Sequence, residues 1–469
     1  MTDRILVSAP ACCEPERRYI LGVVLSGWLG LEWSLRIDDR ADVTLTMVGD
    51  TAERRVTLPD VFFRGAAEDW LGPASLPRLP LALVDARATE WGSVPAGPVP
   101  VLFGTGRGDE PIGTQTAAGV DLRFDVFGSA FFLITRYEEA TRRAADAHAR
   151  FPDAATVAVQ TGTYSVPLAD LYVDLLSAAL LAIWPGYRRR STGYRVALTH
   201  DVDLPLACRQ SSGSILHSAA ADVLKRRDLQ LATRRASILV RGCENHDRDP
   251  WNLFDFLMDV SEENGLASSF NFLANPGGPT RTAYSLDEPW IRRLLTRVHA
   301  RGHEIGLHGG YNTYRDASMV RAELERLRRA TAASAIVQDA WGGRQHFLRW
   351  SNPSTWRAWD EAGLDYDSTV GFAGLVGFRT GTCHEYPVYD LERRRAMRLR
   401  ERPLIAMDTS WLLYRKSSPV EAARTIVDAA RTCRRYGGEF VGLFHNSELA
   451  SRAQQRWYRE LIPAIVAAV

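Results

Sequence analysis

Lysine is almost missing from this chain of 469 residues: of its 57 basic residues, only Lys225 and Lys416 are lysines. That arginine bias, together with the abundant alanine, reads as codon composition rather than as chemistry. A dominant charge is missing as well, since 56 acidic residues leave a net charge of +1. No global field therefore draws nucleic acid or an anionic membrane. There is no cysteine framework either. Cys12, Cys13, Cys208, Cys243, Cys383 and Cys433 contain no CxxC pair and no regular spacing, so reduced thiols are expected. Long apolar runs are also lacking. The stretch YILGVVLSGWLGL after Arg17-Arg18 holds about 13 residues against the ~20 that a bilayer requires. No small-residue cleavage site follows it, so it reads as a buried helix. What remains is a soluble, cytoplasmic globular chain with no stable membrane insertion and no nucleic-acid partner, of ordinary composition at 46% hydrophobic and 24% charged.

The length suggests two domains. Over residues 1–190, short apolar runs such as ILVSAP and ADVTLTMV alternate with helical patterns such as ERRYILGVVLSGWL and FFLITRYEEATRRAADAHAR. This predicts a smaller α/β domain with no nameable chemistry. The stretch WPGYRRRSTG breaks the pattern. From 191 to 469, strand and helix alternate through YRVALTHDVD, SSFNFLAN, HEIGLHGG, RQHFLRW, DYDSTVG, PLIAMDTSW and FVGLFHN. Such alternation predicts parallel strands in an α/β fold of barrel type.

In barrels of this type, functional side chains sit at the C-terminal ends of strands. Here four predicted strands end in Asp201 and Asp203, in His308, in Arg349-Trp350 and in His445. Asp201 and Asp203 are two apart, so an extended strand points both to one side. Two carboxylates that close repel unless a cation intervenes. A divalent metal resolves the conflict, with one carboxylate as ligand and the other left as base. His308 adds an imidazole, a common zinc ligand, and His445 on a distant strand is placed to protonate a leaving group.

At these residues the chain resembles the polysaccharide deacetylase superfamily, the NodB homology domain of carbohydrate esterase family four. The resemblance covers roughly residues 194–449. It implies a distorted (β/α) barrel that removes acetyl groups from sugars with a divalent metal, most simply Zn2+, with Co2+, Ni2+ or Mn2+ as alternatives. Thr199-His200-Asp201-Val202-Asp203 is similar to the first motif and implies Asp201 as base and Asp203 as metal ligand. GHEIGLH implies His308 as metal ligand, and FLRWSNPSTW implies Arg349 as the arginine that orients the base. Asp367 in YDSTVG is a looser match to an aspartate near the acid, and GLFH implies His445 as that acid. The wider wording resembles a bacterial branch found with surface-polysaccharide genes, in which a domain of unknown function precedes the deacetylase domain. The implied substrate is an N-acetylated sugar or glycoconjugate. The oligomeric state is left open.

One position departs from the pattern. Four residues after His308, where the family has a second metal histidine, stands Asn312. Either Asn312 ligates, or His200, His303 or His384 fills the place, or the metal is weakened or lost. Arg379 and Asp408 near strand ends are candidates to bind substrate, and Trp350, Trp356 and Trp411 are candidates to stack on a sugar ring. Two other functions stay open: hydrolysis of another small or cyclic amide, and a non-catalytic glycan-binding or scaffold role.

Overall fold

In the computed structural model, described for residues 4–85, 98–106, 110–142, 144–243, 246–274, 284–410 and 418–468, the chain divides into two compact units. One consists of Met1–Gly193, Ser351–Pro353 and Phe378–Arg400; the other of Tyr194–Trp350, Ser354–Gly377 and Glu401–Val469. Residues 378–400, which the strand–helix alternation assigns to the barrel, thus pack with the first unit.

In the first unit, β1 (Arg4–Ala9), β2 (Glu32–Ile37), β3 (Asp42–Met47), β4 (Arg55–Pro59), β7 (Gly113–Thr116) and β8 (Gly119–Leu122) form one sheet in the order β2-β1-β3-β4-β8-β7. β5 (Ala82–Asp85) and β6 (Pro98–Val101) form a separate antiparallel pair. The run after Arg17-Arg18 is a buried helix as expected. It spans Glu14–Leu21, continues with π-helical winding through Gly22–Leu29, and stops at Gly30, whose φ of 74° closes it. The long helix expected through FFLITRYEEATRRAADAHAR is broken. Helices Val126–Ile134 and Tyr137–Thr141 are separated by Arg136 at φ 52°. The cause is local, because the buried Arg136 guanidinium turns back onto Glu138 and Glu139.

The second unit is α/β, as expected. β9 (Arg195–Val202), β10 (Ser269–Leu273), β11 (Glu304–Gly309), β12 (Gly342–Gln345), β13 (Tyr366–Asp367), β16 (Ala406–Met407) and β17 (Glu439–Leu443) run in the order β13-β12-β11-β10-β9-β17-β16. Their ladders are parallel. β14 (Tyr386–Asp390) and nearly all of β15 (Arg395–Glu401) belong to the first unit. Backbone bonds from Leu404 N to Val370 O and from Gly377 N to Ile405 O tie the chain after β13 to the chain before β16. These close the sheet into a distorted barrel. Alternation then sorts the side chains. Ala197, Val441 and Leu443 turn inward onto Leu348, Ala373, Leu404 and Met407, while His200 turns outward onto Phe270 and Tyr458. Outer helices bury one stripe each. In Pro289–Ala300 it is Trp290, Ile291, Leu294, Leu295 and Val298, the 3.6-residue period visible in the sequence. Helices Pro419–Arg435 and Arg452–Ala467 both start from capping boxes, Ser418 with Glu421 and Ser451 with Gln454.

The expectation of reduced thiols fails at one pair. Cys208 and Cys243 are joined by a disulfide, with their Cα atoms 5.4 Å apart. A separation of 35 residues is no recognisable framework in sequence, and only the fold brings the two together. Among the described residues, no helix is long and apolar enough to cross a membrane.

Candidate metal centre and active site

The C-terminal ends of β9, β11 and β12 and the residues just beyond β17 and β16 converge on one opening of the barrel. β9 delivers Asp201 and Asp203 on its inward face, and β11 delivers His308. β12 delivers Arg344 at its end and His346 just past it, two residues apart and so on one side. Register sets the juxtaposition, with Asn271 opposite Asp201 and His308 opposite Arg344. Gly343, φ 154°, lets β12 come this close, because a Cβ there would stand 1.9 Å from Leu307 O.

Asp203, His308 and His346 each offer one ligand atom, and these atoms lie within 4.8 Å of one another. His308 Nε2 is 3.0 Å and His346 Nε2 3.3 Å from Asp203 Oδ1. Yet this buried oxygen has no hydrogen bond of acceptable geometry. A buried carboxylate oxygen facing two imidazole nitrogens without such a bond is costly in a neutral protein and natural around a cation. The tautomer fits as well. His308 Nδ1 lies 2.9 Å from Arg344 O, so the ring donates there and leaves its Nε2 lone pair for a metal. Two imidazoles and a carboxylate are a donor set suited to zinc and its neighbours, with a position left open.

Charge follows the same plan. Burial pushes the Asp201 and Asp203 carboxyls up, but the surrounding histidines, with Arg344 beside Asp201, pull both below the usual carboxylate range. Burial holds His346 down at about 4, and so neutral. Asp201 Oδ1 accepts from Asn271 Nδ2 at 2.8 Å and from Arg344 Nη1 at 3.0 Å. Arg344 is itself fixed by Ser368 and Thr199. Just past β17, the strand paired with β9, His445 Nε2 stands 3.6 Å from Asp203 Oδ2, while its Nδ1 lies 2.7 Å from Asp408 Oδ1. Burial opposes charge on His445, but the Asp408 carboxylate lifts it to about 10, so its Nε2 carries a proton at neutral pH.

The structure places several sequence candidates elsewhere. Asn312 is exposed in a turn after β11, with Thr313 N bonded to Gly310 O, and its Oδ1 faces Arg349 at 3.5 Å. The four-residue spacing pairs side chains only on a helix, and no helix begins before Ala317. Arg349 does not orient the base: its guanidinium is stacked 3.9 Å from the Tyr311 ring and 4.2 Å from the Tyr314 ring. The physical reason is a kink. β12 ends at Gln345, and Phe347 and Leu348 are both left-handed, at φ 61° and 52°, which turns Arg349 away and leaves Arg344 at the base. Asp367 is fully buried on β13 and accepts from Thr369 N at 3.0 Å; the partner of the acid is Asp408, expected as a substrate contact. Trp350 is buried 4.7 Å from the Trp356 ring and so is core. Arg379 sits in the first unit, donating from Nε and Nη2 to Glu139 at 3.0 and 2.9 Å. His200 Nδ1 pairs with Phe444 O, and His303 with Ser268 N and Glu262. His384 is in the first unit. Trp411 lies outside the described residues. The residues missed in sequence are Arg344, His346 and Asn271. The signal of the first two was present in RQH, an arginine and a histidine of equal strand parity.

A family model for a family of unknown function, DUF7033, matches residues 5–185. No curated protein matches the chain. Among solved structures, the chain is similar to a putative polysaccharide deacetylase from Mycobacterium smegmatis, with 20% identity over 59% of this chain and 85% of that one, TM-score 0.37. It is also similar to a probable polysaccharide deacetylase from Pseudomonas aeruginosa PAO1, with 16% identity over 60% and 86%, TM-score 0.36. For Puue allantoinase the identity is 14% over 60% and 89%, TM-score 0.35. Overlap at this level carries no argument about activity, which rests on the geometry of the site.

Proposed function

We propose that this chain is a metal-dependent hydrolase that removes the acetyl group from the nitrogen of an N-acetylated sugar or glycoconjugate. One observation carries the reading: Asp203 Oδ1, buried without a well-formed hydrogen bond between His308 Nε2 and His346 Nε2, lies between an oriented base and an oriented acid. Asp203, His308 and His346 would hold a divalent cation. Such a cation would polarise the acyl oxygen and acidify water in the site.

The chain's own residues do the rest. Asn271 and Arg344 occupy Oδ1 of Asp201, leaving Oδ2 to take the proton of the attacking water. The Arg344 guanidinium keeps Asp201 ionised and fixed, so the proton is taken at a set position. His445, charged through Asp408, gives the proton of Nε2 to the departing amine. A neutral amine leaves far more readily than its anion, so base and acid must stand on opposite sides of the acyl carbon. Asp201 on β9 and His445 just past β17, on paired strands at this end of the barrel, are the residues that would do so.

The test combines elemental analysis with acetate release from N-acetylglucosamine oligomers. The expected result is near-stoichiometric divalent metal and acetate release that a chelator abolishes and zinc or cobalt restores. Protein that takes up no metal would sink the hydrolase reading. Metal-loaded protein that releases no acetate from any N-acetyl sugar would sink the substrate class.

A further inference from the structure

Between β9 and β10 the barrel carries a helical hairpin, Ser212–Ala221 and Leu229–Arg241, joined through a π-wound turn at Asp222–Arg226. One side of it is accounted for. Ile215, Leu231 and Ile238 pack with Ala207, Trp251 and Ala450. The other side is not. Leu216, Val223, Leu224, Leu229, Leu239 and Val240 are 62, 42, 79, 66, 41 and 86% exposed, six of the fourteen large hydrophobic side chains found exposed among the described residues. Aliphatic groups presented so densely on a surface mark an interaction site.

Charge narrows the partner. Residues 212–241 hold six basic residues, Lys225, Arg226, Arg227, Arg234, Arg235 and Arg241, against Asp222 and Asp228, in a chain whose net charge is +1. Both acids are used locally. Asp222 is fully buried and accepts from Arg235 Nε at 2.7 Å, and Asp228 Oδ1 caps the second helix at Leu231 N. Arg227 and Arg241 are exposed and make no ion pair among the described residues. The hairpin exposes aliphatic groups and positive charge but no Trp, Tyr or Phe, the large aromatic anchors that mark protein interfaces. Aliphatic groups interleaved with Lys and Arg on a short amphipathic element suit the interface of an anionic bilayer.

The root of the hairpin fixes where it stands. The Cys208–Cys243 disulfide closes its base, and Asp249 accepts from Ala207 N and Cys208 N at 2.8 and 2.9 Å. Asn446, next to His445, donates to Leu204 O and Trp251 O at 3.1 and 2.9 Å. The hairpin therefore rises from the same rim that carries the site. We infer that the exposed face of this hairpin docks on an anionic lipid bilayer and holds the open end of the barrel at the membrane surface. The inference does not rest on the deacetylase reading. It gives that site access to glycans attached to lipid.

The experiment is co-sedimentation of the full chain with phosphatidylcholine vesicles and with vesicles containing phosphatidylglycerol. Wild type is expected to sediment with the anionic vesicles and to be released by high salt. Leu224→Ser/Leu229→Ser/Val240→Ser and Arg227→Glu/Arg241→Glu are each expected to weaken binding at least about tenfold. Val337→Ser/Val420→Ser, equally exposed but elsewhere, should bind as wild type. Circular dichroism and metal content should be unchanged in all of these variants, which separates loss of docking from loss of fold or of the metal centre. Wild type that stays in the supernatant would overturn the proposal. So would hairpin variants that sediment as wild type, or retention by RNA or a protein partner without retention by vesicles.

Discussion

Two clusters in this molecule each bring an aspartate together with two soft or borderline ligands, yet only one is built as a metal centre. In the second unit it is Asp203, His308 and His346; in the first it is Asp170, Cys383 and His384. Asp170 is already spent. Its Oδ1 accepts from Thr382 Oγ1 at 2.6 Å, and its Oδ2 from Cys383 N at 2.9 Å and Cys383 Sγ at 3.1 Å. Asp203 Oδ1 accepts no well-formed bond. The same contrast runs through the first unit, where Arg17 is paired with Asp60, and Arg379 with Glu139. Buried charge alone marks nothing, and neither does one unbonded atom, since His384 Nε2 also lacks a bond; what sets Asp203 apart is an unbonded carboxylate oxygen facing two imidazole nitrogens.

The comparison breaks or sharpens at defined points. The largest effect is expected from His346→Ala, which should abolish metal uptake and lower acetate release by more than about 100-fold, since even groups behind the ligands are worth 10–100-fold. Cys383→Ser should keep full metal content by the same elemental analysis, and loss of metal there would reverse the contrast. Next, Glu139→Gln removes the buried carboxylate that Arg379 and Arg136 share and should cost about 3 kcal/mol in urea unfolding, with the metal retained. Arg344→Lys should keep the metal but lose the paired hold on Asp201 and Ser368, lowering kcat roughly 10- to 100-fold with little change in KM.

A pH effect follows from Asp367. Burial raises its carboxyl to about 7, so the folded chain binds a proton there that the unfolded chain releases near pH ~4. The stability it contributes is full below that point and is lost as pH rises through about 7. Asp367→Asn should flatten the urea midpoint between pH 4 and 7, measured as a difference from wild type because burial also raises the Asp125 and Glu401 carboxyls. An unchanged slope would show that Asp367 does not titrate in that range. The smallest effect is expected at Asn312, where Asn312→Ala should change neither metal content nor stability beyond about 0.5 kcal/mol.

Much of this was legible in the chain. The inward pair Asp201 and Asp203, the strand end at His308 and the position of His445 follow from period-two alternation and from the rule that barrels work at the C-terminal ends of strands. Arg344 and His346 were hidden because the strand RQHFLRW looks as if it runs on to Arg349. Two consecutive left-handed residues, Phe347 and Leu348, stop it early, and no glycine or proline announces them. Asp408 was read as a substrate contact, because periodicity does not say that β16 lies beside β17 and brings it under His445. The membership of 378–400 in the first unit is set by tertiary contacts, which local pattern cannot express. The bond between Cys208 and Cys243 is invisible for the same reason.

That bond has a consequence for how the chain would survive damage. A protease reaching the hairpin tip would cut between the two bonded cysteines, and the fragments on either side would remain one covalent molecule. Such a nicked protein would migrate intact until reduced, with the metal ligands His308 and His346 on one fragment and Asp203 on the other.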